Sequence, residues 1–141
     1  MQLLTIGLYA QSELFLYEFI KEHYYSYKAD SVATISLQQL IDEGLKEDSL
    51  YHAKILIARA NHKVGNYKAA LNGLHLIPKN DIQYKKLFFD ITFLEALIYK
   101  NTGRLLKADS IYSETLPQVS EEYPLLLTIN YNDFGNVKLF F

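Results

Sequence analysis

The chain contains no cysteine. That excludes a disulfide framework and any thiolate metal centre, and it leaves the redox character of the compartment open. Arginine is scarce, with only Arg59 and Arg104, and the formal net charge is −2. Nucleic acid and anionic membrane surfaces call for a clear basic excess, so neither is expected as a partner. No uninterrupted apolar run approaches the roughly 20 residues that span a bilayer, so no membrane insertion is expected. Met1–Leu4 lead directly to Gly7, with no basic start followed by a long apolar core, so no signal peptide is visible. A cytoplasmic location is favoured, and a periplasmic one stays open if the sequence is an excised domain. Prolines number three and glycines six. No stretch rich in Gly, Ser or Pro reads as a linker, and no run between turn signals alternates as a strand does.

What is present is a repeated phrase. Val64-Gly65-Asn66-Tyr67-Lys68-Ala69-Ala70-Leu71 precedes Pro78, and Thr102-Gly103-Arg104-Leu105-Leu106-Lys107-Ala108-Asp109 precedes Pro117. The offset from Gly65 to Gly103 is 38, and that from Ala70 to Ala108 is the same. A fixed period of a few tens of residues marks a helical array, in which each helix pair buries its apolar face against the next. With 141 residues, half of them hydrophobic and 21% charged, the chain has the size and composition of one folded domain or one block of a longer array.

Helical patterning runs through the length. Residues 10–23 carry a wide apolar face of Leu14, Tyr17 and Ile20 with Phe15 and Phe19 beside them. A second helix is expected over Tyr27–Glu43, with Ser26 as cap and Gly44 as its C′ glycine. Asp48 or Ser49 is expected to cap a third helix, which runs to about Lys63. A short helix from Tyr67 stops before Pro78, which cannot continue it. Asp81 is expected to cap a helix ending near Asn101, another runs from Leu105 to Leu116, and the last stretch covers Tyr123–Phe141 after a start at Ser120 or Glu121. The expected fold is all-α, with seven or eight antiparallel helices.

The pattern resembles the tetratricopeptide repeat family, a helix–turn–helix unit of about 34 residues. The positions that carry the likeness are Ala58, Asn61, Gly65, Ala70 and Leu74 in one copy, and Ala96, Tyr99, Gly103, Ala108 and Tyr112 in the next. Asn61 stands where the family has an aromatic residue, the proline stops come early, and the period exceeds the family's. Partial copies are visible at Gly7–Ser12 and at Phe134-Gly135-Asn136. The resemblance implies a right-handed α-α superhelix forming a single domain over 1–141, with clear repeats at about 49–80 and 84–119 and partial ones over 1–44 and 120–141.

It also implies a concave surface lined by the first helix of each pair. Carried onto this sequence, its positions are His52, Ile55, Arg59, His62 and Lys63, then Asp90, Phe93, Leu97, Lys100 and Asn101, then Ile129, Asn132 and Asn136. The peptide-binding candidates are His52, Arg59, His62, Lys63, Phe93, Lys100, Asn101, Asn132 and Asn136. Asn132 and Asn136 share a helical face, and side-chain amides can both donate to and accept from an extended backbone. Arg59, Lys63 and Lys100 favour an acidic segment or a C-terminal carboxylate.

No catalytic constellation is visible, and no metal or cofactor site is expected. His23, His52, His62 and His75 include no i, i+4 pair of the kind that presents two imidazoles to a metal. Asp42, Glu43, Glu47 and Asp48 read as a solvated helix junction in preference to a cation site. The lone glycines lack phosphate-loop spacing, and the twelve tyrosines sit at helical spacings suited to packing. The expected function is a non-enzymatic interaction module that holds a protein or peptide. Self-association through the apolar ends (Phe15 and Phe19, or Phe134, Leu139, Phe140 and Phe141) is the alternative, as is a regulatory or sensor segment of a larger multidomain protein. The last helix is expected to be incompletely covered.

Overall fold

A computed structural model describes residues 38–39, 41–44, 47–82, 85–119 and 123–141. They form five α-helices, α1 (Glu47–Lys63), α2 (Tyr67–His75), α3 (Lys85–Asn101), α4 (Leu105–Thr115) and α5 (Pro124–Lys138), with 3-10 turns at Lys79–Asp81 and Leu116–Gln118. No strand occurs among the described residues, so this part of the chain is all-α. The expected helix over 10–23, the partial copy at Gly7–Ser12 and most of Tyr27–Glu43 lie outside the described residues. At the end of the latter, Gln38, Gln39, Ile41 and Asp42 are helical. Gly44 follows with φ +104°, its N–H donating to Ile41 O at 3.1 Å, as a helix-terminating glycine does.

The repeated phrase is a repeated structure. At the end of α1, the N–H of Gly65 donates to His62 O at 3.0 Å and that of Asn66 to Asn61 O at 2.8 Å. At the end of α3, Gly103 donates to Lys100 O at 3.1 Å and Arg104 to Tyr99 O at 2.8 Å. This pairing satisfies carbonyls that a helix end would otherwise leave open, and it needs a left-handed residue at C′. Gly65 and Gly103 supply it, with φ of +79° and +75°. Each turn reverses the chain, and the shorter helix packs back on the longer: α1 on α2 and α3 on α4. Ala70 and Ala108, both fully buried, belong to the cores these pairs build.

Two cores share α3. Ile55, Ala58, Ala70, Leu74 and Ile77 meet its Leu87, Ile91, Leu94 and Ile98. Ala108, Tyr112, Leu116, Val119 and Val137 meet its Phe89, Phe93, Ala96 and Tyr99. Each α3 set advances by three or four residues and so forms one stripe. The two stripes leave six consecutive residues, Ile91–Ala96, buried. The connection from α2 is pinned to this helix by Lys79, whose Nζ donates to Glu95 Oε2 at 2.7 Å.

Three boundaries differ from expectation. α1 already includes Glu47, so Asp48 and Ser49 lie inside it and do not cap it. Asp81 lies in the 3-10 turn and Ile82 after it is not helical, so Asp81 is not the cap of α3. The last helix begins with Pro124 at its first turn, where the missing N–H costs nothing. It ends at Lys138, short of Phe141.

Overpacking predicts that Ala70→Leu and Ala108→Leu each cost about 1–3 kcal/mol. Unchanged urea midpoints in both variants would show that the helices have room there. The glycines give a test of opposite signs. Gly103→Ala forces a Cβ into the left-handed region and is expected to cost about 1–2 kcal/mol. Gly73→Ala, inside α2 with nothing within 4 Å of the added carbon, is expected to stabilise by about 0.5–1 kcal/mol. Calorimetry on the two variants distinguishes them.

Candidate functional site

A groove of about 430 Å³ opens between α3 and α5. Its α3 wall is Lys86, Asp90, Phe93, Leu94 and Leu97. Lys86, Asp90, Leu94 and Leu97 are three or four apart, a spacing that aligns side chains along one side of a helix, and Phe93 borders that stripe. The opposite wall comes from Tyr123 and α5: Leu125, Leu126, Ile129, Asn130 and Asp133. Arg59 reaches in from α1.

The floor lies at Phe93. Phe93 is buried, with its ring 6.3 Å from Phe89 and 6.1 Å from Tyr112, both stacked. Tyr112 also meets Phe134 at 5.9 Å. Burial and then the Asp133 charge push the Tyr112 hydroxyl well above the ordinary phenol range, so it stays protonated. Asn130 is 6% exposed and donates to Leu126 O at 2.7 Å, spending one amide N–H inside its own helix. The rim is apolar, with Leu125 72% and Ile129 52% exposed.

Polar ties cross the seams between α1, α3 and α5. Arg59 on α1 lies 3.7 Å from Asp90 on α3. Lys86 also reaches Asp90, at 3.4 Å. His62 on α1 meets Asn101 on α3, Nε2 to Nδ2 2.8 Å. Lys100 on α3 pairs with Asp133 on α5. Burial, then the Arg59 and Lys100 cations, hold His62 below its ordinary value of 6.5.

Of the candidates read from the sequence, Arg59 and Phe93 line the groove. Lys100 stands beside it through Asp133, and His62 and Asn101 join each other at the α1–α3 seam. His52 is half-buried on α1, and Lys63 is exposed at its end. Asn132 and Asn136 are both exposed and do not line the groove. Register explains this. A groove between two neighbouring first helices takes the forward-facing residues of one and the backward-facing residues of the next. Asn132 corresponds to Phe93, one repeat earlier, and so belongs to α5's forward side. The residues of α5 that do face α3 include Asp133 and Asn130, which position-by-position carry-over passed over. The signal for them was the spacing of Leu87, Ile91, Leu94 and Ile98, which recurs one repeat later as Leu126, Asn130, Asp133 and Val137.

Among the described residues there is no group of three or more His, Cys, Asp or Glu that could hold a metal ion, and no helix is long and apolar enough to cross a membrane. Comparison with known protein families, with curated proteins and with solved structures gives no match.

The His62 environment sets a pH dependence. A base whose pKa is lower in the folded state leaves the unfolded chain to take up the proton first. The stability tied to neutral His62 is therefore complete above about pH 6.5 and is lost as pH falls from there towards its lower folded value. His62→Gln keeps a polar partner for Asn101 but does not titrate. Its urea midpoint is expected to fall less than the parent's between pH 7 and pH 5. Parallel curves for the two proteins would remove His62 from the acid response.

Proposed function

We propose that the chain is a non-enzymatic helical repeat module of the tetratricopeptide kind, a right-handed α-α superhelix that holds an extended peptide or protein segment in the groove between α3 and α5. The observation that carries this reading is the groove itself. A buried floor at Phe93, stacked on Tyr112, and an exposed Leu125–Ile129 rim flank charged groups. Binding sites for chain segments combine apolar anchoring surface with a few placed polar groups. The repeated turns at Gly65 and Gly103 and the buried Ala70 and Ala108 support the repeat assignment. The groove ties Arg59, Lys86 and Lys100 to carboxylates, so a partner meets cations already engaged and must offer apolar contact as well as charge.

A second reading, self-association, draws on another surface. Leu139, Phe140 and Phe141 are 83%, 71% and 63% exposed, and contiguous exposed apolar residues mark interaction surfaces. Phe134, grouped with them from the sequence, instead packs on Tyr112.

The test of the groove uses Leu125→Asn with Ile129→Asn, a neutral change at two exposed positions. Peptides selected from a displayed random library on the wild-type protein are expected to bind this variant about tenfold more weakly or worse, as loss of a buried aliphatic contact implies. Equal affinity would place the binding surface elsewhere. Light scattering on the parent and on a chain lacking 139–141 tests the second reading, which requires a concentration-dependent dimer that the deletion dissolves.

A further inference from the structure

We propose that the segment held in the groove presents an acidic side chain two positions from a bulky apolar one, and that Asp90 stands in for that acidic group in the free protein. The proposal rests on the groove reading above and specifies the chemistry of its occupant. Two cations share one carboxylate: Arg59 Nη2 lies 3.7 Å from Asp90 Oδ1, and Lys86 Nζ lies 3.4 Å from Asp90 Oδ2. Both separations are loose. Lys79–Glu95 and Lys138–Asp109 close to 2.7 Å in the same protein. The guanidinium is therefore beyond hydrogen-bond range of Asp90, and a guanidinium carries five N–H donors.

Exposure points the same way. The Asp90 side chain is 13% exposed, whereas those of Arg59 and Lys86 are 32% and 43% exposed. The anion is sunk and the cations are more exposed to an incoming group, and among the described residues Arg59 and Lys86 face one carboxylate here. At the other end Lys100 and Asp133 balance each other, so the demand for a carboxylate is local.

The spacing then defines the motif. Asp90 and Leu94 are one helical turn apart on α3, about 6 Å along the axis. Alternate residues of an extended chain point the same way and lie about 6.6 Å apart. A peptide laid along α3 in the groove therefore puts an acidic side chain over Arg59 and Lys86 when its second neighbour lies at the level of Leu94, on the apolar part of the same wall.

The experiment pans a random peptide library displayed on phage against the wild-type protein. Anisotropy of the selected synthetic peptides is then measured on variants whose fold is checked by circular dichroism. Enriched peptides are expected to share an acid–x–apolar pattern and to lose about tenfold when the acid is replaced by its amide, the scale of one charge-assisted hydrogen bond. Arg59→Gln with Lys86→Gln should weaken binding to a similar extent. Asp90→Asn, which removes the internal competitor while keeping shape, should tighten it about threefold or more. Should the double variant fail to fold, Asp90→Asn and the acid-to-amide peptides carry the test. Selected peptides with no acidic residue that still depend on Leu125 and Ile129 would overturn this proposal and leave the groove reading standing. Unchanged or weaker binding to Asp90→Asn would overturn the stand-in role. Peptides indifferent to Leu125→Asn with Ile129→Asn would overturn the groove reading itself.

Discussion

Helix α3 must bury two faces at once, and the arrangement around it follows from that. Its Leu87, Ile91, Leu94 and Ile98 stripe meets the preceding pair, and its Phe89, Phe93, Ala96 and Tyr99 stripe meets the following elements. A helix covered on both sides cannot keep every polar group in water. Thr92 and Glu95 fall inside the buried stretch. Thr92 answers by donating to Phe88 O at 2.8 Å within its own helix. Glu95 has no such internal recourse, and a buried carboxylate without a partner costs several kcal/mol. Lys79 supplies the partner at 2.7 Å, with His75 Nε2 at 3.9 Å from the other oxygen. The turn that carries Lys79 is thus held where it is by the burial of α3.

The elements that were legible in the sequence are those fixed by local rules. Gly65 and Gly103 end helices because only a residue free of Cβ enters the left-handed region without strain. Pro78 and Pro117 mark the limits of short helices by the same kind of local steric rule. The start of α3 was less legible. Asp81 has the composition of a cap, but it sits in a 3-10 turn ahead of the helix. Nothing in a short polar run distinguishes a cap from a turn residue when both favour Asp.

The site was legible in part, and the missing part is pairing across helices. Arg59, Lys100 and Asn101 read as groove residues from position alone. Their partners Asp90, Asp133 and His62 sit on another helix, α3, α5 and α1 in turn, and no local pattern announces contacts that far along the chain. Those pairs alter the chemistry expected of the groove. Arg59 and Lys100, read as open to an acidic partner, tie α1 to α3 and α3 to α5, each pair partly exposed and worth about 1 kcal/mol. Ties of that strength hold geometry weakly enough for an incoming carboxylate to compete with them, which makes relative spacing, not net charge, the property that selects a partner.

Helix α5 shows how the same register can serve opposite ends. The stripe that is Tyr51, Ile55, Ala58 and Asn61 in α1 becomes Phe89, Phe93, Ala96 and Tyr99 in α3, where it is buried. In α5 it becomes Thr128, Asn132, Gly135 and Lys138, all exposed. An alanine to glycine change at the close-approach position, with open space around Gly135, fits a face that no helix among the described residues presses upon. The apolar exposure of α5 lies elsewhere, on Tyr131 and on Leu125 and Ile129, the last two one turn apart and lining the groove with α3. Had those leucine and isoleucine side chains occupied the Thr128 and Asn132 register, they would have marked an uncovered end of the array. Placed as they are, they form the rim of the groove, set apart from the exposed Leu139–Phe141 segment that follows the end of α5.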